Sequence, residues 1–348
     1  MTIVYFIIIL GVIVFVHELG HLLVAKAFNV YCREFSLGFG PAVKQIQGKE
    51  TIYSIRAIPL GGFVAMAGES DVESLDGDPS RSLKGIHPFK RILIMLAGVF
   101  ANLVLAFIIF VMIFAYVGKV NVAPQAVIAG VIEDSAAADG GLLADDRIVA
   151  ITLADGKTIV PKDFYEVINV TQMVSDTMVL TVERDTQTLD IEITPRYDQA
   201  EGRYMIGIYL PPPEVKEISF LQSFYYGWTT LLDSMVNVLF VLSFIIRGIG
   251  LQNVSGPLGI YEVTAQQAQL GFQALVVLTA VLSINVGMFN LVPLPVLDGG
   301  RVLITLVEWI IRRPLPAKLE NALMIVSTLL IFGLIILVTL VDIGKLFR

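Results

Sequence analysis

The chain is short of what a soluble protein needs. Only 16% of its 348 residues are charged and 55% are hydrophobic, against roughly 25% charged in an ordinary globular domain. That shortage excludes a cytosolic enzyme or a disordered tail. A secreted disulfide scaffold is excluded as well, because the single cysteine, Cys32, has no intramolecular partner. An excess of base is also missing. The formal net charge of −7 argues against nucleic acid as a main partner. Low-complexity runs and internal repeats, such as a transporter's paired halves, are absent. The composition is that of a multi-pass membrane protein with room for one modest soluble domain.

Crossing the hydrocarbon takes about 20 apolar residues at ~1.5 Å rise each. Four stretches meet that length: Ile3 to Phe28, Ile92 to Val117, Phe272 to Val292 and Ala322 to Val341. The first lacks the basic n-region and cleavage site of a signal peptide, so it is expected to be retained. A fifth apolar stretch, 220–249, contains Gln222, Asp233, Asn237 and Arg247 and gathers its aromatics at one end. Lys and Arg collect in cytoplasmic loops, and here they crowd 29–91 and the segment after Val292. Both loops are cytoplasmic only if 220–249 does not cross. It is therefore expected as helices lying at the outer interface. That leaves four spans, cytoplasmic loops 29–91 and 298–320, and an extracytoplasmic N-terminus.

From Gly118 to Glu217 the character changes. Seventeen acids face eight bases, an imbalance larger than the net charge of the whole chain. Alternating runs at Ala126 to Ile132, Arg147 to Leu153 and Met178 to Glu183 predict short strands, and Lys162 to Val174 predicts a helix. Pro211, Pro212 and Pro213 close the segment as a stiff linker. About 100 residues of this kind make one extracytoplasmic domain. The loop Tyr31 to Gly68 strings strand-like pieces (Glu34 to Gly38, Thr51 to Ile58) between glycines and prolines. Such backbone survives near a membrane only when buried in protein or lining a wet cavity.

The sharpest feature is His17-Glu18-Leu19-Gly20-His21 inside the first span. Positions i and i+4 share a helix face, so both imidazoles can reach one metal ion, with Glu18 beside them to take a proton from water. This is the zinc metallopeptidase arrangement. HExxH is short enough to arise by chance. Yet ionisable groups cost roughly 2.5–3.5 kcal/mol each at the bilayer centre when charged, which argues that these are coordinated. Two histidines leave zinc one protein ligand short. His87, beside Pro88 in the basic loop, reads as an interfacial residue. Asp233, Glu262, Asp298, Glu308 and Asp342 lie in or near apolar sequence. Asp298 stands out because Pro293, Pro295, Gly299 and Gly300 break the helix around it, although a simple capping turn would have the same spacing.

HELGH in the first span, LVPLPVLDGG after the third and the acidic segment between spans two and three together resemble the site-2 protease family of intramembrane metalloproteases. Within it the likeness is to the bacterial RseP-type members, along nearly the whole chain. The resemblance implies zinc held by His17, His21 and Asp298, Glu18 as the base, and Asn285 and Asn290 holding the substrate strand. It further implies that 34–68 is a membrane re-entrant β-hairpin whose edge pairs with an unwound substrate. The run Ser135 to Leu142, continuing through Arg147 and Ile148, is similar to a PDZ signature. Three positions depart from the pattern. Val99 stands where many relatives have Gly-Pro, which is expected to loosen a kink in span two. Asp145 replaces a turn glycine, and Arg301 follows the double glycine.

The fold expected is a four-span α-helical membrane protein with a re-entrant β-hairpin at about 31–68 and an inserted α+β PDZ-like domain. Its parts are 1–117, 118–215 and 216–348. The activity implied is a Zn2+-dependent endopeptidase of the bacterial inner membrane. It would cut single-pass transmembrane proteins, such as a pre-cut anti-sigma factor, or signal-peptide remnants. Peptide termini or shortened ectodomains would dock at the PDZ-like domain, and no nucleic acid is involved. The alternatives are an ion or zinc transporter using His17, His21 and Asp298, and a non-catalytic PDZ scaffold.

Overall fold

The structure is a computed structural model and describes residues 1–68, 78–198, 203–246 and 256–346. Two compact units divide the chain, Met1–Tyr116 with Ser219–Arg348, and Val117–Ile218.

In the first unit, α1 (Thr2–Ala27) is followed by strands β1 (Cys32–Gln47) and β2 (Ile52–Met66), and then by α2 (Pro88–Val117). After the second unit come α5 (Phe220–Ile246), α6 (Pro257–Leu270), α7 (Phe272–Asn290), α8 (Asp298–Ile311) and α9 (Ala317–Leu346). Four of these helices are long and apolar enough to cross a membrane: Thr2–Ala27, Pro88–Val117, Phe272–Asn290 and Ala317–Leu340. The protein is a multi-pass membrane protein. Its exposed apolar surface, including Val4, Ile8 and Phe100 on the spans, is what lipid would cover.

The stretch expected as interfacial helices is one continuous 27-residue helix through Ile246. Leu231 and Val238 of α5 pack with Ala106, Ile109 and Phe110 of α2 and with Ala280 and Ile284 of α7. Aromatic pairs Phe107–Trp228 and Phe114–Tyr226 add to that seam. α2 runs unbroken past Val99, which is buried. A β-branched residue lacks the ring that would force a kink there.

The strands β1 and β2 form a sheet that is wider than a simple hairpin. Phe35 pairs with both Val64 and Tyr53, and Tyr53 pairs in turn with Ile46. The lateral order is therefore 62–66, 32–37, 52–55, 44–47, and 62–66 is an outer edge. Its apolar side (Cys32, Phe35, Val64, Met66) packs on Leu22, Ala25 and Ile94.

In the second unit the strands are β3 (Lys119–Val122), β4 (Gly130–Val131), β5 (Arg147–Thr152), β6 (Thr158–Ile159), β7 (Met178–Arg184), β8 (Gln187–Ile193), β9 (Arg196–Asp198), β10 (Arg203–Met205), β11 (Ile208–Tyr209) and β12 (Glu214–Glu217). Two helices accompany them, α3 (Ala136–Asp139) and α4 (Phe164–Met173). Antiparallel β6-β5-β7-β8 is the main sheet. Alternation buries Met178, Leu180 and Val182 against Ile148, Ile151, Phe164 and Val167. Asp163 caps α4 by accepting from Glu166 N (2.9 Å), while Glu166 accepts from Lys162 N (2.8 Å). Asp145 does take the left-handed conformation, φ 70°, which aspartate tolerates better than most residues. The next residue, Asp146, is wholly buried and salt-bridged to Arg184.

Candidate metal centre

α1 carries His17, Glu18 and His21 on successive turns. Helical geometry stacks the two imidazoles edge to face with centroids 4.8 Å apart. α2 must approach them closely. At Gly98 a side chain would sit 2.8 Å from the His17 ring and closer still to His21, so only glycine lets the helices meet here.

The third partner comes from far along the chain. α7 ends at Asn290, Pro293 and Pro295 keep 291–297 out of helix, and α8 restarts at Asp298. α8 is tied to α2 by the Arg91–Glu308 ion pair (2.9 Å), and Glu308 also accepts from Leu315 N (3.0 Å). The result brings Asp298 Oδ2 within 3.1 Å of His17 Nε2 and 3.4 Å of His21 Nε2, the two nitrogens being 3.2 Å apart. A tetrahedral zinc with bonds of ~2.0–2.1 Å needs ligand separations of about 3.3 Å. Oδ2 is buried and no hydrogen bond satisfies it. Lone pairs crowded this closely, with a buried carboxylate oxygen left over, fit a divalent cation.

The far side of each imidazole is held as metal-binding histidines require. His21 Nδ1 lies 2.8 Å from Ile94 O and so carries the proton, which leaves Nε2 for a metal. The Asn102 carboxamide sits 3.3 Å from His17 Nδ1, with its oxygen buried and unpartnered. A half-turn of that amide gives the oxygen to a protonated Nδ1 and satisfies both groups. Ser283 Oγ donates to Asn102 O at 2.9 Å, fixing this residue against α7.

These residues line a cavity of about 330 Å3, whose other walls include Gly62, Phe63, Val64, Asn290 and Arg301. Glu18 faces into it one helical step from the histidines. Gly62 on the edge strand is so close that an added Cβ would lie 3.1 Å from Glu18 Cγ and 2.7 Å from Ser36 O. Backbone, not side chain, therefore borders the glutamate.

Of the residues singled out in sequence, His17, Glu18, His21, Asn290 and Asp298 meet here. Asn290 Nδ2 is 3.4 Å from His17 Nε2. Asn285 lies half-buried on α7 outside the cavity lining. His87 is exposed, accepts from Phe89 N at the start of α2 and meets the edge of Trp309. Asp233 and Glu262 are exposed, and Glu308 is spent on Arg91. The side chain of Asp342 falls outside the described residues. Asn102 belongs to no motif in the sequence, although a lone amide in an apolar span is itself a signal.

A family model, peptidase family M50, matches residues 5–334. The chain belongs to peptidase family M50. This M50 peptidase is 34% identical over 345 residues to a Clostridium perfringens protein named as a zinc metalloprotease, covering 99% of this chain and 98% of the relative. A Fusobacterium nucleatum protein of the same description is 33% identical over 354 residues, covering 100% of both. The regulator of sigma-W protease RasP of Bacillus subtilis is 30% identical over 428 residues, covering 99% of each chain. The protein is thus a zinc metalloendopeptidase of the site-2 protease kind, an intramembrane protease.

Proposed function

We propose that His17, His21 and Asp298 hold the zinc and that Glu18 is the general base for peptide-bond hydrolysis within or beside the membrane. The convergence of two Nε2 atoms and one unsatisfied carboxylate oxygen within 3.4 Å carries the reading. Bound zinc would supply Lewis-acid polarisation of the scissile carbonyl and acidify the attacking water. Glu18 takes the proton from that water and returns it to the leaving amine, so one carboxylate serves as base and then as acid. A helical substrate hides its carbonyls in its own hydrogen bonds. Pairing with the edge strand 62–66, directly beside Glu18, would keep it extended. Asn290, at the cavity wall, is a donor for the substrate backbone, and Asn285 is assigned to the same strand further along α7.

The substrates are single-pass membrane proteins or signal-peptide remnants, cut in regulated intramembrane proteolysis. A pre-cut anti-sigma factor suits this class, and RasP is named for such regulation. The unit at 118–215 acts as a PDZ-like domain that admits only shortened ectodomains or free peptide termini. The hairpin at about 31–68 re-enters the membrane between the flanking parts 1–117 and 216–348. The enzyme sits in the bacterial inner membrane with its N-terminus and PDZ-like domain outside and loops 29–91 and 298–320 in the cytoplasm.

The test is Glu18→Gln in purified protein against a panel of tagged single-pass substrates, with metal assayed on the same sample. Expected are retained zinc and cleavage slower by about 10²–10⁴-fold. Full activity would remove Glu18 as the base. Zinc binding without cleavage of any substrate by wild type would favour a transporter or a scaffold instead.

A further inference from the structure

A second cavity, about 460 Å3 against about 330 Å3 for the metal cavity, lies where α1 ends. Its walls are Lys26 in the last turn of α1, Asn29, the β1–β2 turn with Lys49 and Glu50, Tyr53 of β2, and Arg81. Asn29 is left-handed, φ 62°, which turns the chain off the helix and opens the hollow. Three cations meet one acid. Arg81 is held by Glu50 at 2.8 Å and reaches Asn29 O at 3.4 Å. Lys26 donates to Tyr53 OH at 3.1 Å. Lys49 forms no ion pair among the described residues.

The level of this cavity follows from the helix. The 26 residues of α1 extend about 39 Å, more than the ~30 Å hydrocarbon core. Its last turn therefore emerges among headgroups, where Tyr53 and Tyr31, the latter facing the Arg81 guanidinium, suit the interface. One turn back, Leu23 is 58% exposed and shares a face with Lys26 and Ala27. Surplus positive charge thus sits directly above an exposed apolar strip. A free phosphate would use only the charge, whereas a phospholipid uses both.

We propose that this cavity binds the phosphate of an anionic phospholipid headgroup, with Lys26 and Lys49 as its main contacts and the acyl chains along Leu23. The bound lipid ties the β1–β2 turn to α1 five residues beyond His21. The site does not depend on the protease reading.

The test uses the full chain in phosphatidylcholine nanodiscs with and without phosphatidylglycerol, read by native mass spectrometry of lipids retained after release. Wild type should retain phosphatidylglycerol in preference to phosphatidylcholine. Lys26→Gln and Lys49→Gln should each weaken that retention about five-fold, the ~1 kcal/mol expected per cation at a membrane surface. Lys26→Arg and Lys49→Arg should restore it, and Lys216→Gln in the soluble unit should not change it. Inorganic phosphate, added to detergent-solubilised protein, should not raise its melting temperature, whereas phosphatidylglycerol should. No preference for phosphatidylglycerol in wild type, or equal retention by the double Gln variant, would overturn the proposal. Stabilisation by inorganic phosphate alone would overturn the lipid as its source.

Discussion

Two buried aspartates, one in each unit, are treated oppositely by the chain around them. Asp146 has no exposed surface and is answered completely. Arg184 reaches its two oxygens at 2.7 Å each, and Leu143 N donates at 2.8 Å. Asp298 is nearly as enclosed, yet its Oδ2 has no hydrogen bond and faces two imidazole nitrogens. A buried carboxylate that the chain satisfies itself is architecture. One that the chain leaves open, beside other lone pairs, is waiting for something from outside. Asp145, one residue before Asp146 and left-handed, belongs to the first case, because its turn aims the carboxylate at Leu143 N.

Exchanging the two roles by mutation gives the largest effects. Asp298→Ala should reduce bound zinc and cleavage to background while leaving the protease resistance of 117–218 intact. Asp146→Ala should leave zinc content unchanged and destabilise that unit by about 3 kcal/mol, because the arginine and an amide lose their buried partner. Metal analysis paired with limited proteolysis of the full chain reads both, and loss of zinc in Asp146→Ala would collapse the distinction.

A smaller effect is expected at Asn102, which touches the metal centre only through His17. Asn102→Ala should weaken zinc affinity by about 10–100-fold, the usual cost of losing an outer hydrogen bond to a metal-binding histidine. Chelator competition measures it, and Asn102→Asp should recover part of the loss by accepting from the same Nδ1.

The smallest and most gradual effect is acid release of the soluble unit. Burial alone would raise the Asp146 carboxyl, but the Arg184 guanidinium and the Leu143 N–H outweigh it and hold it below the ordinary carboxylate range. A group lowered on folding contributes stability that is complete above its unfolded value, about 3.9, and that is lost as pH falls through the folded one. Pepsin should therefore begin to cut within 117–218 as pH drops below about 4. Asp146→Asn should show a flatter dependence on pH.

Features carried by neighbouring residues are legible in the sequence itself. The i, i+4 spacing of His17 and His21, four apolar stretches of spanning length, the Asp163-capped helix and the alternating strand at Met178 depend on local periodicity, and the structure reproduces each of them. Departures begin where distant segments meet. The strands of 31–68 extend further than the apolar alternation shows, because each stretch pairs on two sides within one folded ribbon. The region 220–249 is one helix through Ile246, since packing on α2 and α7 covers polar interruptions that look like breaks in the sequence.

At the metal centre the same division holds. Spacing alone leaves Asp298 equally readable as a capping turn, because nothing local relates it to His17, 281 positions earlier. The ion pair Arg91–Glu308 and the proline-broken segment before α8 decide that it faces the histidines. Glycine-level approach at Gly98 and Gly62, and the part played by Asn102, are equally invisible in sequence. Local patterns determine which residues can ligate, span or cap, since those properties repeat along a single helix or strand. Which of them share one cavity was decided by tertiary packing, because only close contact between α1, α2, the edge strand and α8 brings their lone pairs to a common point.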